Sequence, residues 1–403
     1  MDLTRRTFLR GTGLGAMALG ISTFKACTGE ESGKISEKPI QGFDETYSNT
    51  DTSKSWVQTS DRKIRVGIAG YGVCKFGAVF GFQDHPNVEV VAVSDLIPER
   101  CTELAKECRC ERTYPSLEKM VTDDEIEAVF VATDAPSHAR HCIEVMKHGK
   151  HVAIAVPAVV EDLEDADRLL EMVKKTGLKY MMFETTTFRN TTYAMREIYK
   201  AGGFGKLIYT EGEYFHYCPT PLPSYKEWRN GFPPIWYCTH STAFYISVAG
   251  GSLTEVSCMG MPSIIPHLTL KGNVYKNPFG TEIGLFRTSE GGMARFAVGW
   301  DTPGGHGETG RVHGQKGSFD NEYRGTLDNL PNLKKPPLPP GVNPGEHGGS
   351  HGYLMDEIVM SIIEDRKPLV DIATSLNMTI PGLVAHQSAF KDGEIMKIPQ
   401  YAL

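Results

Sequence analysis

Residues 64–72 read IRVGIAGYG, an apolar run of strand type that leads directly into Gly70-Tyr71-Gly72. A helix-compatible stretch follows as far as about Gln83, which completes the strand, glycine turn and helix of a dinucleotide-binding fold. In such a turn Gly70 makes the tight bend and Gly72 lets the backbone approach a pyrophosphate at the helix N-terminus. We therefore predict that both glycines bind a dinucleotide.

The glycine pattern is incomplete. Lys75 stands where a third glycine is expected, and Gly77 lies two positions further on. The motif alone is therefore a weak signal, and we place Lys75 provisionally among the cofactor-binding residues of this loop.

The next strand strengthens the prediction. Residues 88–94 form a second β run that ends in Asp95. An acidic residue at this position can accept hydrogen bonds from a ribose diol and would repel the extra phosphate of NADP. The sequence therefore favours NAD as the cofactor.

Strands continue to alternate with helices up to about residue 187. We predict strands at 126–133, 151–155 and 178–183, with helices ending near His148 and spanning 161–176. This alternation is typical of a parallel sheet that binds ligands at the carboxyl ends of its strands. We therefore predict a Rossmann-type domain over residues 62–187.

Length and composition set the broader limits. The chain has 403 residues, too many for one hydrophobic core, and its formal net charge of −7 disfavours nucleic acid as a partner. No apolar run after the N-terminus is long enough to span a membrane. The nine cysteines form no CxxC pair and no zinc-type spacing, so we expect no metal site.

The N-terminal residues resemble a targeting signal. Residues 4–10, TRRTFLR, closely resemble a twin-arginine export signal, and a short apolar stretch follows from Gly11 to Phe24. We expect residues 1–27 to be the signal, residues 28–61 a disordered tether, and the protein to be periplasmic. Cys27 leaves open a lipid anchor, although Lys25 fits a lipoprotein site poorly.

The remaining residues, 188–403, are predicted to form a substrate-binding α+β domain. Candidate strands cover 207–217, 253–260, 282–288, 293–300 and 311–323, and helix 353–364 has Ser350 as its candidate cap. Between them, the Pro-rich aromatic loop 219–234 is long enough to suggest a function, as aromatic faces stack on sugar rings. In and beside this loop, Tyr217, Trp228 and Arg229 are the candidate substrate-binding residues.

Several short motifs resemble the Gfo/Idh/MocA oxidoreductases over about residues 62–400. They include Gly70-x-Gly72, Ser94-Asp95, Gly149-Lys150-His151-Val152 and the segment 365–371. A further matching run, ATDAPSH at 132–138, adds Thr133 and His138 to the candidate cofactor residues. The resemblance implies a second domain with an open, mostly antiparallel sheet, a substrate held between the domains, and C-terminal helices that can pack back on the first domain. We also expect a homo-oligomer.

The chain departs from this family where catalysis is expected. The family's Glu-Lys-Pro is replaced by Ala155-Val156-Pro157, and Val156 cannot transfer a proton; Pro157 stays a candidate cofactor contact. The resemblance places the later aspartate–histidine motif on residues 236–240, where Trp236 replaces the aspartate. His240 is retained there, and it becomes the leading general acid or base.

The Val-Pro variant and the Tyr237-x-Thr239-His240 pattern look like the NAD-dependent N-acetylgalactosaminidase branch. This resemblance extends to residues 181–184 and 213–216, and implies transient oxidation of a sugar, elimination, hydration and re-reduction. It makes Tyr237 and His216 further catalytic candidates. Phe188 stands where that branch has a functional tyrosine, so the branch's substrate is not carried over.

Three functions remain open. The first is an NAD-dependent carbohydrate enzyme that works by transient oxidation, as a glycosidase, lyase or keto-sugar hydrolase. The second is a plain sugar dehydrogenase that uses His240 without the lysine. The third is a non-catalytic sugar-binding protein stabilised by a nucleotide. Export of folded protein with its cofactor inside favours the first, because NADH made outside the cytoplasm is not easily exchanged.

The export prediction can be tested directly. Replacing the arginine pair (Arg5→Lys with Arg6→Lys) should leave folded protein in the cytoplasm, because this route reads the paired arginines. Cell fractionation followed by immunoblotting measures the distribution. Unchanged export of the double variant would contradict the twin-arginine interpretation.

Overall fold

A computed structural model describes residues 56–271, 273–305 and 307–403. The predicted export signal, Cys27 and the tether as far as residue 55 lie outside these ranges. Within the described part of the chain, no helix combines the length and apolarity needed to cross a bilayer.

The first domain is built on a six-stranded parallel sheet, as predicted. Its spatial order is β3-β2-β1-β4-β5-β6, the order of a dinucleotide-binding fold. The strands are β1 (Ile64–Ala69), β2 (Val88–Ser94), β3 (Thr113–Tyr114), β4 (Ala128–Val131), β5 (His151–Ala155) and β6 (Tyr180–Phe183). Strands β1, β2 and β5 have the predicted bounds, β4 and β6 are shorter, and the two-residue edge strand β3 was missed.

Helices cover both faces of this sheet. They are α1 (Phe76–Val79), α2 (Pro98–Glu107), α3 (Leu117–Met120), α4 (His138–Lys147) and α5 (Leu163–Thr176). The helix predicted after the glycine turn is wrong in length. It is a single turn, α1, and Gly81 with φ 79° separates it from a 3-10 turn at Phe82–Asp84.

A second sheet of eight strands forms most of the C-terminal half. It is mixed and mostly antiparallel, in the order β13-β12-β11-β7-β10-β9-β8-β14, and only β7 and β10 run parallel. Its strands are β7 (Leu207–Phe215), β8 (Leu253–Pro262), β9 (Phe279–Thr288), β10 (Met293–Gly299), β11 (Gly307–Gly314), β12 (Gly317–Asp320), β13 (Glu322–Gly325) and β14 (Met396–Lys397). The single strand predicted at 311–323 is wrong, because the chain reverses twice there.

Five helices accompany this sheet. They are α6 (Asn190–Lys200), α7 (Thr239–Ala249), α8 (Glu346–Gly349), α9 (His351–Ile363) and α10 (Ile372–Ala389). The predicted cap of α9 is also wrong, because the Ser350 side chain is buried and makes no capping bond.

Helix α10 packs on both domains. It contacts β6 and α5 of the first domain, and β8 and α7 of the second. The backbone N–H of Ala158 points at the hydroxyl of Thr379, and Met182 donates to the Val370 carbonyl. This supports the expectation that C-terminal helices return to the first domain.

The glycine turn is held by close backbone contacts. A Cβ at Gly77 would lie 2.5 Å from the Gly70 carbonyl oxygen, with Leu104 and Ile68 also close, whereas a Cβ at Gly72 would meet nothing within 4 Å. Gly77 therefore provides the close helix–strand packing that the missing third glycine would give.

This difference predicts opposite effects on stability. Gly77→Ala should lower the free energy of unfolding by about 1–3 kcal/mol, the usual cost of overpacking, because a backbone oxygen cannot move aside easily. Gly72→Ala is the matched control and should unfold like the wild type. Urea denaturation followed by circular dichroism measures both, and equal stabilities would contradict the packing role of Gly77.

Candidate active site

A cavity of about 400 Å³ opens at the carboxyl ends of β1, β2 and β4. This edge, where the strand order reverses, is where open parallel sheets bind nucleotides. Predicted cofactor residues line the cavity together: Gly70, Gly72, Lys75, Asp95, Thr133 and His138.

The glycines fit a dinucleotide. Gly70 has φ 103°, and a Cβ there would lie 2.4 Å from the Ala132 carbonyl oxygen at the end of β4. Any side chain is therefore excluded at the turn. Gly72 borders open space in the cavity, so the backbone there can approach a phosphate closely. NAD is therefore compatible with the residues present.

Lys75 ends the glycine turn in the left-handed conformation, with φ 51°. Its ammonium group lies 5.5 Å from the centre of the Tyr71 ring, at the cavity wall. Because α1 has only four residues, the helix dipole expected at this position is much weaker than predicted. A phosphate here would be bound mainly by backbone N–H groups and the lysine charge.

Asp95 lies at the end of β2, where a ribose is expected. Its Oδ2 accepts from the Tyr71 backbone N–H at 2.7 Å, and its Oδ1 accepts from that of Ile97 at 2.8 Å. These bonds fix the carboxylate at the cavity rim while each oxygen keeps a second lone pair. The geometry is compatible with the predicted ribose contact.

His138, Thr133 and Pro157 form a small network below the cavity. The buried His138 ring lies between the carbonyl oxygens of Pro157, 2.7 Å from Nδ1, and Thr133, 3.3 Å from Nε2. Burial lowers the pKa of His138, so the ring is neutral and donates to one carbonyl. His138 therefore joins two loops. Pro157 was predicted to contact the cofactor, but it does not line the cavity.

A second cavity, of about 310 Å³, adjoins the first. The two share seven lining residues: Cys74, Phe76, Ala155, Val156, Trp228, Arg229 and Tyr237. Aromatic side chains dominate the second wall, with Phe76, Tyr214, Phe232 and Trp300 among them. A small molecule bound here would lie next to whatever occupies the first cavity.

His240 lies in this second cavity, held by a carboxylate from the other domain. Its Nδ1 is 2.8 Å from Oε1 of Glu184, the residue directly after β6. Both side chains are buried. The bond uses Nδ1 and leaves Nε2 for the cavity, which is the arrangement of an oriented acid–base histidine.

A second buried carboxylate supports His240. Glu308, on β11, accepts from the Thr186 hydroxyl at 2.6 Å and lies 3.3 Å from Arg189. Burial would lower the pKa of His240, but Glu184 and Glu308 outweigh it and raise the pKa above its ordinary value. Burial would raise the pKa of Glu308, but His240, Thr186 and Arg189 outweigh it and lower that pKa.

Tyr237 also reaches the cavity, in the turn before α7. Burial raises its pKa to about 12, and its hydroxyl donates to the Val156 carbonyl at 3.3 Å. It is therefore a neutral hydrogen-bond donor. Trp236 packs edge-on against His386 and does not line either cavity, so it cannot replace the family's aspartate.

The other predicted residues divide into two groups. His216, Trp228 and Arg229 line the second cavity, and the Arg229 guanidinium lies 4.3 Å from the Trp228 ring centre. Tyr217 is outside both cavities and 44% exposed, so its assignment to the substrate site is not supported. Within the described ranges, no group of three His, Cys, Asp or Glu side chains could hold a metal ion.

Comparison with known proteins agrees with this geometry. Residues 64–184 match the GFO_IDH_MocA family, described as an oxidoreductase family with an NAD-binding Rossmann fold. This nucleotide-binding domain belongs to the Gfo/Idh/MocA family.

Proteins similar to this chain include glycosyl hydrolase family 109 proteins. One from Bacteroides fragilis is 32% identical over 176 residues, which cover 41% of this chain and 37% of the relative. One from Porphyromonas gingivalis is 28% identical over the same shares. The matches thus span little more than a third of these relatives.

Solved structures share the two-domain fold. Levoglucosan dehydrogenase in complex with NADH and levoglucosan has a TM-score of 0.70 at 18% identity, covering 84% of this chain and all of that one. Lactobacillus casei scyllo-inositol dehydrogenase with NAD(H) and scyllo-inositol has a TM-score of 0.64 at 17% identity, with 83% and 99% covered.

The structure adds residues to the candidate site that the sequence did not assign to it. Glu184 had been noted only within a resembling tetrapeptide, and its partner is 56 positions away. Glu308 lines neither cavity but contacts Thr186 and Arg189 behind His240. Tyr214, Thr185 and His347 also line the second cavity.

The Glu184–His240 contact makes a measurable prediction. In Glu184→Gln the pKa of His240 should fall by about 1–3 pH units, because the attraction of an adjacent carboxylate is lost while the effect of burial remains. NMR titration with histidine labelled at Cε1 measures this pKa. Glu211→Gln, on the other sheet face beside Arg295, is the control and should leave it unchanged. A pKa that stays constant in Glu184→Gln would show that this contact does not set it.

Proposed function

We propose that this chain is an exported, NAD-dependent carbohydrate enzyme that oxidises its substrate transiently and reduces it again. The observation that carries the proposal is the Glu184–His240 pair in the cavity next to the dinucleotide cavity. Among the described residues, none that lines this second cavity is a lysine. The family's lysine-dependent proton transfer therefore has no equivalent group, and His240 is the ionisable side chain placed to act instead.

The shape and chemistry of the second cavity support a carbohydrate. Trp228, Trp300 and Tyr214 present aromatic faces, while Arg229 and His216 offer hydrogen bonds to hydroxyl groups. A cavity lined mostly by aromatic groups with a few polar ones is typical of small-molecule sites. The similarity to glycosyl hydrolase family 109 proteins supports a glycoside as the substrate.

NAD, when bound, accepts a hydride from a sugar carbon and can return it. If the carbon oxidised is C3, the resulting ketone acidifies the proton on C2. His240 can then move a proton at Nε2, while Glu184 holds Nδ1 and stabilises the charged ring. Loss of the C1 substituent, addition of water across C1–C2 and return of the hydride to C3 would complete hydrolysis without net oxidation.

The proposed location supports this redox-neutral course. A twin-arginine substrate crosses the membrane folded, with cofactor already inside, and NADH cannot be exchanged easily outside the cytoplasm. An enzyme that released oxidised sugar would stop after one turnover. Returning the hydride removes this limit.

This mechanism predicts turnover without accumulation of NADH. With a panel of p-nitrophenyl glycosides, wild-type protein should release nitrophenol repeatedly, and deuterated water should place deuterium at C2 of the released sugar. On a methyl glycoside of the accepted sugar, whose leaving group needs a proton, His240→Ala should lower the rate at least about 100-fold, while NAD stays bound because His240 is outside the dinucleotide cavity. Absorbance at 340 nm, absorbance of nitrophenol and NMR of the product measure these quantities.

The matched control is His313→Ala, because His313, on β11, stacks on Tyr209 of β7 and lies in neither cavity. It should retain wild-type rates. Stoichiometric NADH with no deuterium at C2 would contradict the proposal and identify a plain sugar dehydrogenase. No turnover, with sugar binding retained, would identify a binding protein.

A further inference from the structure

A short turn before α9 brings a second histidine to the substrate cavity. Residues 345–349 read GEHGG, and His347 has φ 49° among glycines of positive φ. A non-glycine residue in this region is strained and persists only where its surroundings fix it. His347 lines the cavity that also holds His240.

The surroundings do fix this turn. The ammonium group of Lys335 donates to the Gly349 carbonyl at 2.9 Å and to the Phe188 carbonyl at 2.7 Å. A Cβ at Gly348 would lie 3.1 Å from the Arg189 guanidinium carbon, so that side chain packs directly on the turn. The strained conformation is therefore maintained from two sides.

A hydrogen-bond relay determines the tautomer of His347. The Val79 carbonyl can only accept, so Nδ1 of His351, 3.3 Å away, carries a proton. Burial lowers the pKa of His351 to about 4, so its ring is neutral and its Nε2 is bare. That Nε2 lies 2.8 Å from Nδ1 of His347, which must donate. A neutral His347 therefore has a bare Nε2.

The pKa values of the two cavity histidines, His240 and His347, are shifted in opposite directions. Burial, with His240 and Arg189 adding to it, lowers the pKa of His347 despite Glu308 and Glu346. His240 has the opposite shift, as described above. Two groups of one chemical type whose pKa values are pushed apart are typical of an acid–base pair.

We propose that His347 is the general base of the reaction and that His240 is its acid partner. The inference rests on the proposed function. Nε2 of His347 takes the proton from C2 of the oxidised sugar, and the C–H electron pair forms the C1–C2 double bond. The C1–O bond breaks, its electron pair leaves with the aglycone oxygen, and that oxygen takes the proton from Nε2 of His240. His351 is a positioning residue, because it acts through His347.

The charge around His347 comes from several elements. Glu346 lies in its own turn, Arg189 directly before α6, Glu308 on β11, His240 on α7 and His351 on α9. The apparent pKa of the base limb of the pH–rate profile therefore depends on all of these groups and not on His347 alone.

The first test needs no substrate. Diethyl pyrocarbonate reacts with neutral imidazoles that have a free, accessible nitrogen, so at neutral pH His347 should be modified faster than His240 or the buried His351. Peptide mass spectrometry of the full-length protein measures each rate. Faster modification of His240 than of His347 would overturn the base assignment.

The second test separates base from acid. On a p-nitrophenyl and a methyl glycoside of the sugar accepted by wild type, His347→Gln should lower both rates at least about 100-fold and abolish deuterium incorporation at C2. His240→Gln should lower the rate on the methyl glycoside far more than the rate on the p-nitrophenyl glycoside, because nitrophenolate leaves without a proton. His351→Gln should lower kcat and shift the pH profile, and His313→Gln is the control.

The outcomes remain distinguishable. Net NADH formation by the wild type would overturn the proposed function, and the modification rates judge His347 independently of it. Retention of rate within about fivefold, or of C2 exchange, by a folded His347→Gln protein would overturn the inference. A His347→Gln protein that fails to fold leaves the wild-type modification rates to decide.

Discussion

A buried hydrogen bond between Nδ1 of His240 and Oε1 of Glu184, 2.8 Å long, connects the two halves of this molecule. Glu184 follows the last strand of the nucleotide-binding sheet, and His240 begins the main helix of the second domain. Taking one partner out of a buried charged pair typically costs about 3–5 kcal/mol. This contact therefore helps to fix the position of His240 relative to the cofactor cavity.

The remaining polar groups of the site are arranged around this pair. Thr185 and Thr186 follow Glu184 in sequence, and their hydroxyl groups point at Glu308 of the second sheet. Arg189 ends the same turn and reaches both Glu308 and the backbone of Gly348. One segment of six residues, 184–189, therefore contacts the second sheet, the helix carrying His240 and the turn carrying His347. Charge and geometry at the site come from the same few residues.

The nucleotide-binding half could be predicted because its determinants are local in the sequence. The β1 run, the Gly70–Gly72 turn and Asp95 follow one another within about thirty residues, and their roles depend on backbone geometry. Glu184 and His347 could not be assigned in this way, because each acquires its role from partners far away in sequence. The length of α1 was mispredicted because Gly81 ends the helical pattern, and the 311–323 strand because its reversals, at 315–316 and at Asn321, occupy only two residues and one residue.

The long helix α10 has a consequence for how the protein moves. Its eighteen residues extend about 27 Å and contact strands and helices of both domains. Gly382 lies against the Ile235 carbonyl, so close that a Cβ would be only 2.1 Å away. Hinge rotation between the domains would have to break this shared packing. Access to the cleft is then bounded by the loop at 219–234, whose residues line both cavities.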